Sequence, residues 1–199
     1  HHNPATMGTL NAAGKFQAAF FQSVTTRTAG FASISQSGLT NGSKLLACML
    51  MIVGGSPAGT AGGIKTTTVA VLLLTAISVL RGNKDTECYG RKITFEIIRV
   101  GITITLVTFV FWLFGVTVMT VIEPQQKVLD LMFEATSAMA TVGLTADLTP
   151  VLSDISHVVL MLMMYIGRIG PMTMALIFSG HVDKKNQFRT LPEAKIMVG

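Results

Sequence analysis

An internal repeat limits the fold of this chain more than any other feature of its sequence. The triplet Thr-Ala-Gly at 28–30 lies 113 residues before Thr-Val-Gly at 141–143, and Gly54 lies the same distance before Gly167. Each triplet follows a short segment of aromatic, small and hydroxyl side chains and precedes a longer apolar segment. Because repeats at a fixed spacing indicate duplicated structural units, we predict two copies of one unit: a short helix, a tight turn and a long helix.

The composition predicts that both copies lie in a membrane. Half of the 199 residues are apolar and 13% are charged, whereas a soluble domain carries about 25% charged residues. Crossing a bilayer takes about 20 largely apolar residues in a helix. Three segments meet that need, 44–80, 94–122 and 155–179. The chain is therefore predicted to be an all-α membrane protein.

The basic residues predict how the spans are oriented. Eight of the fifteen Lys and Arg residues lie within 81–92 and 184–195, whereas 31–43 and 144–154 contain none. Short cytoplasmic loops carry an excess of Lys and Arg, so we place 81–92 and 181–199 in the cytoplasm. A nucleic-acid-binding patch explains the net charge of +5 less well, because these basic residues flank the spans. No nucleic-acid partner is expected.

The two short segments are predicted to be re-entrant pore helices. Residues 14–26 and 128–140 are too short to cross a bilayer, and each is followed by a turn that contains glycine. An outer helix, a re-entrant helix, a T-x-G strand and an inner helix form the subunit plan of a potassium channel, in which backbone carbonyls replace the hydration shell of the ion. The alternative is that the small residues serve close helix packing.

Glycine suits such a filter because it adopts backbone conformations that other residues avoid and has no side chain to block the axis. We therefore predict filter segments at 27–31 and 140–144. The residues predicted to bind K+ are Arg27, Thr28, Ala29, Gly30, Ala140, Thr141, Val142 and Gly143.

A glycine-rich run interrupts the first long span. Residues 54–63 contain five glycines and one proline, and in a helix each Gly costs about 1 kcal/mol and Pro about 3 kcal/mol relative to Ala. Irregular backbone at membrane depth is tolerated only inside protein or against a water-filled cavity. We predict a pore-facing loop that gates ion passage below the filter, formed by Gly54, Gly55, Ser56, Pro57, Ala58, Gly59, Thr60, Ala61, Gly62 and Gly63.

Two other interpretations of this run compete with a gate. A Walker A loop is excluded because Ile64 separates Gly63 from Lys65. The substrate site of a secondary transporter that couples potassium to sodium or protons remains open, since such proteins also bind substrate at broken helices. The pore-helix repeat favours the gate. A scaffold protein is the third alternative.

Three charged residues are candidates for roles near the pore. Arg168 lies about midway along 155–179, where a charge is costly, so we expect it to face the pore as part of the gate or to cap carbonyls freed nearby. Arg27 is predicted to fix the filter turn by donating hydrogen bonds behind it, with a solvated loop charge as an equal alternative. Glu134 has three open roles: it braces the filter, attracts cations or lies on an ordinary polar helix face.

These motifs resemble the Trk/Ktr/HKT superfamily of potassium transporters, and most closely the membrane subunits of its bacterial Ktr branch. The resemblance rests on Gly-Phe at 30–31, the run 54–66 and Gly-Arg-Ile-Gly-Pro at 167–171, and it covers essentially the whole chain. It implies four helix–pore-helix–helix repeats around one pore. Residues 1–80 would be the third repeat without its outer helix, 81–93 a cytoplasmic loop, 94–180 the complete fourth repeat and 181–199 a cytoplasmic tail.

The resemblance also implies an assembly. It predicts a multi-pass homodimer in the bacterial plasma membrane that sits on a cytosolic ring of nucleotide-binding regulatory subunits, with the other two repeats supplied by the N-terminal half of the same polypeptide. Potassium would be the transported ion, with no covalent cofactor and no enzymatic activity. Phe31 and Leu144 stand where the potassium filter signature has Tyr, so the sequence leaves open a sodium dependence and the choice between channel and symport.

Overall fold

A computed structural model describes residues 6–8, 10–56, 62–83 and 85–170. The prediction of a mostly helical chain is confirmed. The helices of the described residues are α1 (Ala12–Thr25), α2 (Asn41–Ile52), α3 (Thr66–Leu80), α4 (Phe95–Ile122), α5 (Val128–Met139) and α6 (Asp154–Ile169). Two short strands, β1 (Glu87–Cys88) and β2 (Arg91–Lys92), form an antiparallel hairpin between α3 and α4.

The starts of α1, α2 and α6 are set by side-chain caps. Helix α1 begins two residues before the predicted start because the Asn11 side chain accepts a hydrogen bond from the Gly14 N–H. Thr40 caps α2 in the same way, and Ser153 caps α6. Each cap gives a partner to an N–H group that has none within the helix.

The long segment 44–80 is two helices rather than one. Helices α2 and α3 are separated by residues 53–65, as the glycine-rich run predicts, and residues 57–61 of that run lie outside the described residues. The hairpin in the loop 81–93 was not predicted. Its turn is formed by Tyr89 and Gly90, which both have positive φ, at 49° and 74°, as in the two-residue turns that join antiparallel strands.

Among the described residues, α4 is the one helix long and apolar enough to cross a membrane. Its 28 residues extend about 42 Å at about 1.5 Å per residue. Helices α2 and α3 are shorter apolar helices. The predicted span 155–179 runs beyond residue 170, so its second part lies outside the described residues.

Helix α5 lies at the centre of the packed core. It contacts α2, α4 and α6, and the last seven of its residues are buried, including Phe133 and Glu134. One buried cluster joins it to α4 and α6, and a second joins Phe133 to α2 and to Val142 and Leu144 of the second predicted filter. The second copy of the repeat is therefore embedded in the core.

The first copy is packed differently. Helix α1 has Thr25 as its buried residue, whereas Phe16 is 74% exposed and Phe20 is 65% exposed. This apolar face of α1 is not covered by any of the described residues.

Candidate functional site

The two T-x-G triplets lie in contact with each other. A Cβ atom added to Gly30 would overlap the Val142 carbonyl oxygen and lie 3.6 Å from the Gly143 Cα. Residues of the two copies that are 113 positions apart in the sequence are thus neighbours in the fold. Their approach depends on the absence of a side chain at Gly30.

The triplets also share an uncommon backbone conformation. Thr28 and Thr141 have φ of 65° and 54°, and Gly30 and Gly143 have φ of 77° and 90°. A positive φ is rare for a β-branched residue because its side chain crowds the backbone. Such strain persists where the surrounding structure holds it, and it is concentrated at functional sites.

The end of each short helix holds the triplet that follows it. The N–H groups of Ala29 and Gly30 donate to the Thr25 carbonyl at 3.2 and 3.3 Å. In the second copy, the Val142 N–H donates to the Ser137 carbonyl at 2.9 Å and the Gly143 N–H donates to the Ser137 hydroxyl at 3.2 Å. The last helical turn therefore fixes the path of the triplet in both copies.

Glu134 braces the segment that follows the second triplet. Its side chain is buried in α5, and its carboxylate accepts hydrogen bonds from the Ala146 N–H at 3.0 Å and from the hydroxyls of Thr145 and Thr149 at 2.5 and 2.9 Å. Both carboxylate oxygens are used. Of the roles left open by the sequence, this geometry favours bracing.

The first copy has a counterpart to this brace with different chemistry. Gln22 of α1 donates to the side-chain oxygen of Gln36 at 2.6 Å, and Gln36 is buried. Gln36 is equivalent to Thr149 in the repeat, 113 residues later. In both copies a polar side chain of the short helix therefore holds the chain beyond the triplet.

The Arg27 side chain contacts the start of the glycine-rich run. Its Nη1 donates to the Val53 carbonyl at 2.8 Å and approaches the Gly54 carbonyl at 3.5 Å. The sequence predicts that Arg27 donates hydrogen bonds behind the filter turn. In the structure it donates to carbonyls of the two residues that follow α2.

The described parts of the glycine-rich run pair with each other. The Gly54 N–H donates to the Ile64 carbonyl at 2.9 Å, and the Ile64 N–H donates to the Ile52 carbonyl at 3.1 Å. Val53 and Ile64 form a parallel bridge, so the chain leaves α2 and returns to α3 at nearly the same place. Glycine is needed here because a Cβ on Gly54 would overlap the Gly62 carbonyl oxygen.

The run also contacts the second triplet. The Gly62 N–H donates to the Thr141 hydroxyl oxygen at 3.1 Å. A Cβ on Gly62 would lie 2.9 Å from the Ala140 carbonyl oxygen. Of the ten predicted gate residues in the run, Gly54, Gly55, Ser56, Gly62 and Gly63 are described, and Pro57, Ala58, Gly59, Thr60 and Ala61 lie outside the described residues.

Arg168 lies in the last turn of α6 and is exposed. The helix ends at Ile169, and Gly170 follows with φ of 88°. The preceding Gly167 allows α6 to approach α5, since a Cβ on it would overlap the Met139 carbonyl oxygen. The link between Arg168 and the glycine-rich run remains a prediction.

An ion pair between the two copies was not predicted. Lys44 of α2 and Asp130 of α5 are 2.6 Å apart, with 7% and 21% of their side chains exposed. In the sequence, each residue is a charge near the start of an apolar segment. That placement is the one signal that could have indicated a partner of opposite charge. The hydroxyl of Ser37 also donates to the Asp147 carboxylate at 2.6 Å, so the segments after the two triplets are joined as well.

Glu123, at the end of α4, holds the start of α6. Its carboxylate accepts hydrogen bonds from the Ser153 N–H and the Ser156 hydroxyl, both at 2.8 Å. Hydrogen bonds from the Ser153 side chain and backbone, and then from Ser156, lower the pKa of this carboxyl below its ordinary value of 4.5.

Comparison with known proteins gives one family for nearly the whole chain. A family model described as "TrkH: Cation transport protein" matches residues 2–189. The Ktr system potassium uptake protein B of Bacillus subtilis is 36% identical over 199 residues, which cover 100% of this chain and 44% of the relative.

Two further relatives have similar identity. The protein of the same name from Vibrio alginolyticus is 36% identical over 178 residues, 89% of this chain and 39% of the relative. The potassium/sodium uptake protein NtpJ of Enterococcus hirae is 36% identical over 183 residues, 90% of this chain and 41% of the relative. The chain thus spans less than half the length of these relatives. The resemblance predicted from the motifs is confirmed: the chain belongs to the TrkH family of cation transport proteins.

Proposed function

We propose that this chain forms part of the pore of a potassium uptake protein, in which the ion passes a filter lined by backbone carbonyls. The names of the relatives indicate potassium uptake, and NtpJ is named for potassium and sodium. The observation that carries the proposal is the contact between two equivalent triplets that share the same left-handed residues.

The backbone conformation explains how such triplets bind a cation. In an extended strand successive carbonyls point to opposite sides, whereas an alternation of left-handed residues with others turns them towards one side. Several carbonyl dipoles then face the ion and replace its hydration shell. The triplets 28–30 and 141–143 supply two strands of this filter, and the remaining strands come from the upstream half of the polypeptide.

The glycine-rich run is proposed to control passage below the filter. Its described ends are not helical and lie against residues at both triplets. Arg168 is proposed either to raise the electrostatic barrier to a cation or to cap carbonyls at the end of α6. The secondary-transporter alternative stays second, because the contact between the triplets favours a pore.

The proposed setting follows from the family resemblance and the basic loops. The whole polypeptide would be a multi-pass homodimer in the bacterial plasma membrane, with four repeats around its pore and a cytosolic ring of nucleotide-binding subunits below it. The re-entrant course of α1 and α5 belongs to this proposal. Both helices are too short to cross a bilayer, at 14 and 12 residues.

The test compares Gly143→Ser with the wild type, using full-length protein in liposomes. A side chain at φ of 90° costs about 1–2 kcal/mol, so the filter backbone must relax. We expect the ratio of potassium to sodium uptake to fall by about five- to thirtyfold. Gly42→Ser is the matched control, because nothing lies within 4 Å of a Cβ there.

Two outcomes would contradict different parts of the proposal. If Gly143→Ser transports with unchanged selectivity, these residues do not form the filter. If the wild-type protein accumulates no potassium, the proposed function itself is wrong.

A further inference from the structure

We propose that Arg27 and Thr141 are positioning residues that couple potassium binding in the filter to the position of the glycine-rich run. The inference rests on the proposed function, because it takes the triplets to be the filter. It concerns the described ends of the run, residues 53–56 and 62–65.

One end of the run is held from the first copy. The Arg27 guanidinium donates to the Val53 carbonyl at 2.8 Å and approaches the Gly54 carbonyl. These carbonyls follow the end of α2, so they lack helical partners further along the chain. A charged donor strengthens the contact. Arg27 adjoins Thr28, so any shift of the first triplet moves the base of this side chain.

The other end is held from the second copy. The Gly62 N–H donates to the Thr141 hydroxyl oxygen at 3.1 Å. The Ala140 carbonyl oxygen lies 2.9 Å from where a Gly62 Cβ would stand, so the two backbones pass at close range. Thr141 itself has a left-handed backbone, with φ of 54°. The direction of its side chain, and so the position of the hydroxyl that accepts from Gly62, depends on this conformation.

The two ends cannot respond separately, since they are bonded to each other. The Gly54–Ile64 and Ile64–Ile52 hydrogen bonds and the Val53–Ile64 bridge join them. The ends therefore form one block that is attached to two filter segments by side chains from different copies of the repeat.

Ion binding acts on this block through the backbone of the filter. A potassium ion that binds carbonyls at 140–143 orders the backbone of Thr141 and hence the hydroxyl that accepts from Gly62. The coupling is reciprocal. When the two ends of the run lie where the Gly62–Thr141 hydrogen bond forms, the filter binds potassium more tightly, and bound potassium favours that position of the ends by the same factor. The geometry thus predicts that potassium holds the run in place.

A threonine outside the filter provides the control for Thr141. The hydroxyl of Thr117 donates to the Leu113 carbonyl within α4 at 2.8 Å. Its removal takes away a threonine hydroxyl and leaves both triplets and the contact to Gly62 in place.

The experiment measures how fast a maleimide labels the run in the full-length protein. The exposed Ser56 is changed to Cys in a Cys88→Ser background; Cys48 is buried, and protein without Ser56→Cys gives the background rate. Labelling is compared in potassium chloride and in N-methylglucamine chloride of equal ionic strength. We expect potassium to slow labelling about two- to twelvefold, the effect of one net hydrogen bond.

The filter variants test the route of the coupling. Thr141→Val should abolish the potassium effect on labelling, whereas Thr141→Ser and Thr117→Val should keep it. Arg27→Gln should weaken it. Simple shielding of the pore by bound ions would instead leave the effect intact in both Thr→Val variants.

Three results would overturn the proposal. The first is that potassium leaves the labelling rate of the protein with an unaltered filter unchanged or increases it. This result can be obtained even where the filter variants do not fold. The second is a Thr141→Val protein with the wild-type potassium effect, and the third is a Thr117→Val protein that loses it. Potassium uptake by the same wild-type liposomes is measured in parallel, so a failure of the coupling is distinguished from a failure of the proposed function.

Discussion

At the scale of single residues, Thr28 and Thr141 have an uncommon backbone conformation for threonine. Each left-handed residue of this kind costs about 1–3 kcal/mol, and both are held by the helix end before them and by contacts beyond. The repeat predicts both threonines as filter residues, but it predicts the unusual backbone conformation for the glycines of the triplets and not for these threonines. It does not predict that the Arg27 guanidinium reaches Val53 or that Lys44 pairs with Asp130. Such contacts depend on which helices pack together, and the local pattern carries no information about that packing.

Substitutions at Glu134 test whether its carboxylate braces the segment after the second triplet. Because its carboxylate accepts three hydrogen bonds from a buried position, we expect Glu134→Gln and Glu134→Asp to lower both the stability of the full-length protein and its selectivity for potassium. Leaving these partners unsatisfied costs about 1–3 kcal/mol. Thermal unfolding in detergent and paired potassium and sodium uptake measure the two effects.

The shorter Asp distinguishes bracing from attraction of cations. It keeps the charge but cannot reach the same donors, so an Asp variant with wild-type stability and selectivity would refute bracing. Asp154→Asn is the control, since Asp154 is an exposed acid in the first turn of α6.

At the scale of elements, the positions of the helices follow from the sequence while their ends do not. Glycine and proline content predicts the break between α2 and α3, and the lengths of apolar segments predict α4 and α5. The hairpin 87–92 is not predicted, because the Lys and Arg residues of its loop indicate a side of the membrane and carry no signal for strand pairing. The contact of Glu123 with the start of α6 is not predicted, because Glu123 and Ser153 are thirty residues apart in the chain.

The contact between Glu123 and the start of α6 makes stability depend on pH. The pKa of this carboxyl is lowered in the folded protein, so its contribution is complete well above 4.5, its ordinary value, and is lost as the pH falls through the lower folded value. We expect Glu123→Gln to reduce the Tm of the full-length protein at pH 7 and to have progressively less effect on Tm in acid below that ordinary value.

The control for this prediction is Glu87→Gln, a change to an exposed residue of β1. It should leave Tm nearly unchanged at neutral pH. A difference between wild type and Glu123→Gln that stays constant from neutral pH into acid would show that the carboxylate does not stabilise α6 by its charge.

At the scale of the whole molecule, the two copies of the repeat are packed unequally. The short helix of the second copy is enclosed by α2, α4 and α6, whereas that of the first copy leaves Phe16 and Phe20 exposed. The sequence predicts two equivalent copies because the pattern of residue types is the same in both. The repeat pattern contains no information about what covers each copy, and we propose that the upstream repeats cover α1.

The central claim is that the two triplets line one ion path. Its most direct test is a structure of the full-length protein in rubidium, a heavier substitute for potassium, compared with one in N-methylglucamine. We predict rubidium density beside Gly30 and Gly143, coordinated by backbone carbonyls of 28–30 and 141–143. Rubidium bound elsewhere in the protein, with none at these glycines, would contradict the claim.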